Sequence, residues 1–231
     1  MALDAYLSSI PDRKAKSVRA LPRILREAYT YDVPALIMKS STDRLSVDGD
    51  YSFFLGTPDA SLRRIASWLI TKNSETPEVL ASILPLLWNR HGREDLAMAA
   101  LLLANIDHAR MGTSPWRILE DLIRPREPIE GLLMCVEEIL RSGRMCPNEE
   151  RLCSWLEQGG VMQTLSLLCI HASMMRGRDP TPKELELTAA SDYKQAPELV
   201  IRVRDRMVLM STAKELIDEM LHSIRRLDEL R

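Results

Sequence analysis

The sequence predicts an all-α protein built as a stacked array of short helices, and three observations carry that expectation. Strand signals are nearly missing: aromatic residues make up 5% of the 231 positions, and no run of β-branched alternation is bounded by a hairpin dipeptide. Four Ser/Thr-Pro pairs, Thr57-Pro58, Thr76-Pro77, Ser114-Pro115 and Thr181-Pro182, each precede a run of helical apolar periodicity. The third is a faint self-match, Ser61–Leu69 over Asp95–Leu103, at an offset of 34 residues. Stacked helix pairs show periods of this size, because one pair cannot bury its apolar face without a neighbour. An array is favoured over a closed bundle on that ground.

The individual elements follow from local chemistry. A Ser or Thr hydroxyl can accept an orphan N–H of the first turn, and Pro at the first helical position lacks the N–H that would go unpaired. Thr181 with Glu184 adds a capping box. Helices are expected at 58–72, 77–90, 93–109, 115–123, 128–142, 147–157, 160–176, 182–190 and 197–229, with Asn73, Gly92, Gly112, Gly143 and Gly159 in the gaps as C-terminal caps. Gaps this short should make consecutive helices pack antiparallel. Pro85, inside the second of these helices, should kink it. The apolar faces predict burial of Leu62, Ile65, Leu69, Leu84, Leu87, Trp88, Leu96, Ala99, Leu103, Leu132, Ile139, Leu165 and Leu168. At the far end Met210, Ala213, Ile217, Met220, Ile224 and Leu227 form a heptad seam too short for a coiled coil, read as an end helix covering the last repeat. The chain is read as a single domain over 1–231, with 197–231 as its C-terminal capping region, and as a monomer rather than a dimer.

Composition mostly removes options. Hydrophobic residues at 45%, charged residues at 28% and nine Gly exclude collagen-like, low-complexity and disulfide-rich classes. The longest apolar stretches, such as Leu96–Ile106, fall short of the roughly 20 residues of a membrane span, and the N-terminus has no basic segment followed by an apolar one. A soluble, cytoplasmic protein without a membrane partner is expected. The gaps between Cys135, Cys146, Cys153 and Cys169 fit neither a zinc knuckle nor a disulfide framework, so free buried thiols are expected. His91, His108, His171 and His222 are scattered, and no glycine-rich phosphate cradle or serine-hydrolase elbow occurs. No metal and no cofactor is expected.

Net charge is -2, the opposite of a strongly basic nucleic-acid domain, so any DNA contact must be a local patch. Residues 1–72 carry 11 Lys or Arg against 8 Asp or Glu and form the basic third. Within them Lys16, Arg19, Arg23 and Arg26 keep a 3-4-3 spacing that would place four cations on one helical face, although Pro22 can split that helix.

The segment from Tyr51 to Ala66, with Phe53-Phe54-Leu55-Gly56-Thr57-Pro58 and Leu62-Arg63-Arg64-Ile65-Ala66, resembles the F-x-F-L-G-[IV]-x-x-P-x-x-R-x-[IL]-A stretch of AlkD-type DNA alkylation repair proteins. Glu78-Val79-Leu80 leading to Leu87-Trp88, then Arg93-Glu94-Asp95-Leu96-Ala97, is similar to the next helix turn of that family. The likeness covers about residues 50–106. It implies a HEAT-like α-α superhelical repeat array, an α-solenoid, and a DNA glycosylase-like protein of base excision repair that meets alkylated double-stranded DNA without a cofactor. It also implies a Trp and an acid one helical turn later in the concave groove, where the carboxylate stabilises positive charge developing on the deoxyribose. Trp116 with Glu120 or Asp121 looks like that counterpart. The same i, i+4 pair also describes a buried aromatic beside a solvated acid.

Further on, Trp155 matches the first Trp of the family's W-x-x-s-x-x-x-W-x-R-R-x-A signature, while Val161, Gln163 and Thr164 stand where its second Trp and two Arg would be. Weak or absent release of methylated purines is therefore expected. Arg63, Arg64, Arg90, Arg93 and Arg117 join the N-terminal stripe as candidate phosphate contacts, with Arg124 and Arg126 as further substitutes. Their alternative roles are a solvated face or partners for Asp and Glu. The competing functional reading is a non-catalytic helical-repeat scaffold with a protein partner in its concave groove.

Overall fold

The structure, a computed structural model, describes residues 2–34, 51–193 and 196–212. Regular structure among these residues is helical, apart from one isolated bridge between Phe53 and Gly92. In chain order the helices are α1 (Ala2–Ser9), α2 (Asp12–Ala15), α3 (Leu21–Ala28), α4 (Asp59–Lys72), α5 (Pro77–Arg90), α6 (Arg93–Asn105), α7 (Pro115–Leu122), α8 (Ile129–Arg141), α9 (Glu149–Gln158), α10 (Gly160–Met174) and α11 (Pro182–Ala190). Residues 198–212 are helical as well. Contacts group the chain into two compact units, 1–145 and 146–231.

In the first unit α6 is the centre. Every residue from Glu94 to Ala104 is buried, as a helix that is apolar on all sides must be. Helices α4, α5, α7 and α8 all pack on it, with α3 against α5 and both α1 and α2 against α4. Gly131 of α8 lets that helix approach closely: a Cβ there would stand 2.9 Å from Cδ1 of Leu96. In the second unit α9 packs against α10 and α11, and the Ser166 hydroxyl donates to Leu152 O at 2.8 Å across the first of these pairs. All thirteen residues expected in the core are buried. Each such side chain contributes about 1.5–3 kcal/mol relative to exposure.

The capping chemistry holds at some starts and is diverted at others. Ser114 and Thr181 accept the N–H of Arg117 and Glu184, and Glu184 completes the box by accepting Thr181 N–H at 3.0 Å. Thr57 lies one residue too early, before the cap position of Pro58, and its hydroxyl instead donates to Tyr29 O at 2.9 Å. Thr76 makes no side-chain cap. Helix α5 runs unbroken through Pro85.

Two sequence expectations are corrected. Gly92 is not a left-handed C-cap: that conformation falls on His91 at φ 57°, and Gly92 is the N-cap of α6. Its glycine identity answers to packing, because a Cβ there would stand 2.0 Å from Cζ of Phe53. Nor do Lys16, Arg19, Arg23 and Arg26 share one helix. Helix α2 ends at Ala15 and α3 begins at Leu21 with Pro22 in its first turn, so Lys16 and Arg19 lie in the link. Of the proposed C-terminal seam, the positions beyond Met210 lie outside the described residues. No helix among the described residues is long and apolar enough to cross a membrane.

Candidate nucleic-acid interface

The nine candidate phosphate contacts divide into two groups. Arg63 bonds Asp59 at 2.8 Å and grips Glu138 through two nitrogens at 3.1 and 2.5 Å; hydrogen bonds to Glu138 and then Asp59 hold its guanidinium further above the usual arginine range. Arg64 pairs with Asp4 and Asp32. Arg90 is bidentate on Asp95 and also reaches Pro22 O. Arg93 bonds Glu130 at 2.8 Å and lies over the Phe54 ring, and Arg117 pairs with Asp121 at 3.7 Å. Each of these five meets an acid of the protein itself and would have to exchange one anion for another to reach DNA.

Lys16, Arg19, Arg23 and Arg26 are different. All four are exposed, and none lies at ion-pair distance from a carboxylate among the described residues, with Lys16 acting on Asp12 and Arg26 on Asp95 only from further away. Arg26 sits 3.8 Å from the centroid of the Phe53 ring, an arrangement that orients the guanidinium without neutralising it. The spacing would place them on one helical face; in the fold Lys16 and Arg19 lie in the link and Arg23 and Arg26 on α3. Arg19 and Arg23 line the same cavity.

The residues proposed for catalysis are placed as follows. Trp116 is 5% exposed, and its Nε1–H donates to Met145 O at 2.7 Å. A ring with so little open surface offers no face for a base to stack on; it braces α7 against the chain end of the first unit. Glu120 is half-buried. Asp121 is 65% exposed at its side chain and carries the Arg117 ion pair. In the second unit Trp155 and Gln163 are buried, and Thr164 Oγ1 donates to Gly160 O at 3.3 Å. Among the described residues no group of three or more His, Cys, Asp or Glu is arranged to hold a metal ion.

Sequence reasoning missed the buried acids that organise the first unit. Fully buried Glu94 accepts the N–H groups of Leu55, Gly56 and Thr57 at Oε1, at 2.9, 3.0 and 3.3 Å. Fully buried Asp95 takes Arg90 and the Tyr29 hydroxyl. Burial pushes the Asp95 carboxyl upward against the pull of Arg90, and burial, then the Asp95 charge, pushes the Tyr29 phenol well up. Glu127 accepts Trp88 Nε1–H at 2.7 Å and Arg124 N–H at 2.8 Å, with His91 Nε2 3.5 Å from its other oxygen. Through one oxygen each, Glu94 and Glu127 gather backbone and side-chain donors and tie loops to helices. One signal was available: two acids at the head of a helix with no polar face must themselves be buried, and buried charges need partners.

Fold and surface together define an all-helical protein with an N-terminal segment of exposed cations outside close ion pairs among the described residues. No protein-family model matches the chain, and neither a curated protein nor a solved structure matches it.

Proposed function

We propose that this chain is a DNA-binding helical-repeat protein of the AlkD type that grips phosphates through its N-terminal segment and does not excise bases. The observation that carries this is the contrast among the nine cations: five are paired with the protein's own acids, while Lys16, Arg19, Arg23 and Arg26 are exposed without such partners. On a chain of net charge -2, a concentration of unneutralised cations draws a polyanion rather than serving solubility. The motif likeness over residues 50–106 supports the repeat architecture, stacked as a superhelix. Cys135, Cys153 and Cys169 are buried outside any disulfide, which fits a reducing compartment, the cytoplasm.

Absence of excision follows from the site. Base release needs a fixed carboxylate at the developing sugar cation and groups that hold the distorted nucleotide against it. Trp116 is closed off in the core, Asp121 is exposed and paired, and Val161, Gln163 and Thr164 supply neither an aromatic face nor a guanidinium.

The test is a fluorescence titration of duplex DNA with the protein and with the variant carrying Lys16→Ala, Arg19→Ala, Arg23→Ala and Arg26→Ala. The wild type should bind, the variant should lose at least about tenfold in affinity, and incubation with methylated DNA should release no free base above a no-protein control. Robust base release would contradict the non-catalytic part. Absence of DNA binding at low salt would select the protein-binding scaffold instead.

A further inference from the structure

A cavity of about 560 Å³ lies between α1, the residues linking α2 to α3, and α3 itself. Its size falls within the roughly 300–1,000 Å³ of small-ligand sites. Three cations line it, Lys14, Arg19 and Arg23, against one carboxylate, Glu27. Ser9 and Ser17 line it too, the Ser9 hydroxyl donating to Tyr6 O at 2.7 Å, and Ile10 and Ile24 supply apolar wall. Its two ends differ. At the Glu27 end, Tyr6 donates to Ile24 O at 3.3 Å and stacks on Tyr31 with ring centroids 4.6 Å apart. Burial and the neighbouring Glu27 charge raise the Tyr6 phenol, so it stays a neutral donor.

We propose that this cavity binds a phosphate monoester attached to a nucleoside, either the 5′-terminal phosphate of a DNA strand or a free mononucleotide. The charge count selects the monoester. Three cations against one carboxylate leave two positive charges, matching the approximately -1.5 to -2 of a phosphate monoester near neutral pH, whereas a backbone diester carries one negative charge. Arg19 and Arg23 offer planar forks for bidentate contact with phosphate oxygens, and Lys14 adds a point charge. Ser17 can donate to a remaining oxygen. The apolar wall receives the sugar and base, and Glu27 accepts from a sugar hydroxyl or a base amine. Lys16 and Arg26 do not line the cavity; on duplex without a terminal monoester in the cavity, Arg19 and Arg23 meet backbone phosphates beside them.

The DNA-end source rests on the DNA-binding function proposed above, whereas the mononucleotide source does not. The experiment separates them. A hairpin duplex with a single 5′ end and a fluorophore in its loop is titrated as the 5′-phosphate and as the 5′-hydroxyl. In parallel, deoxyadenosine 5′-monophosphate and deoxyadenosine are titrated by calorimetry. The expected result is about tenfold tighter binding of the phosphorylated hairpin, or binding of the mononucleotide but not the nucleoside, the first identifying a strand end and the second a free nucleotide as the source. In either case the preference should vanish in Arg19→Ala with Arg23→Ala, at unchanged melting temperature, and be partly retained in Arg19→Lys with Arg23→Lys. Equal binding of the two hairpins with no mononucleotide binding overturns the proposal while leaving salt-dependent DNA binding intact. A preference that survives the double alanine variant overturns it as well. Mononucleotide binding with no binding of either hairpin supports the site and contradicts the DNA-binding function.

Discussion

The Glu94 carboxylate, fully buried in the first turn of α6, accepts the backbone N–H of Leu55 at 2.9 Å. Because the same oxygen also takes the N–H groups of Gly56 and Thr57, one side chain terminates three consecutive donors of the segment leading into α4. Hydrogen bonds to a charged acceptor contribute about 1.5–3 kcal/mol, and orphaned buried donors cost more than a lost average bond. Glu94→Gln should destabilise the protein by about 1–3 kcal/mol, and Glu94→Ala by more, measured as a shift of the urea midpoint. Unchanged midpoints would mean that the 55–57 segment is held by something else.

Gly92 and Phe53 make a second such contact. A methyl group at position 92 would stand 2.0–2.3 Å from three atoms of the Phe53 ring, so Gly92→Ala must displace the ring. Overpacking of this kind typically costs about 1–3 kcal/mol. The displaced ring would also remove the platform under Arg26. A lowered melting temperature together with weaker DNA binding is expected; Phe53→Leu combined with Gly92→Ala should recover part of the stability by vacating the ring volume.

His108 gives a pH dependence of defined sign. Burial, partly offset by its contact with Leu103 O at 2.6 Å, lowers its pKa below the ordinary 6.5. Between the native value and 6.5 the unfolded chain therefore holds a proton that the native chain lacks, so stability falls as pH drops through that window. The melting temperature should decrease from pH 7.5 to pH 5.5, and the decrease should be smaller in His108→Gln. An equal decrease in both proteins would show that another group is responsible.

Much of the fold could be read from the residues themselves. Helix α5 begins at the expected Thr-Pro step and ends at the expected residue, because Pro at the first position and a complete apolar face fix both limits locally. For α6 the expected core positions Leu96, Ala99 and Leu103 are buried, but so is every residue from Glu94 to Ala104, since the helix leaves no polar face. The N-terminal stripe was not legible, because even spacing of Lys16, Arg19, Arg23 and Arg26 says nothing about where a helix stops, and the chain turns between Ala15 and Leu21. Periodicity likewise could not tell which arginines meet acids: Arg63 finds Glu138 and Arg93 finds Glu130, pairs distant in sequence that only packing creates. Trp116 with Glu120 kept both of its meanings in the sequence, because only packing buries the ring and ties its Nε1–H to Met145 O.

The dependence of DNA affinity on salt tests the central claim most directly. If Lys16, Arg19, Arg23 and Arg26 each neutralise one phosphate, the logarithm of the binding constant should fall with the logarithm of salt concentration at a slope near -3.6, from about -0.9 per phosphate. Arg23→Ala should flatten that slope by about 0.9, whereas Arg117→Ala, which removes an exposed partner of Asp121, should leave it unchanged. Binding that ignores salt, or a slope untouched by Arg23→Ala, would contradict phosphate contact by the N-terminal segment.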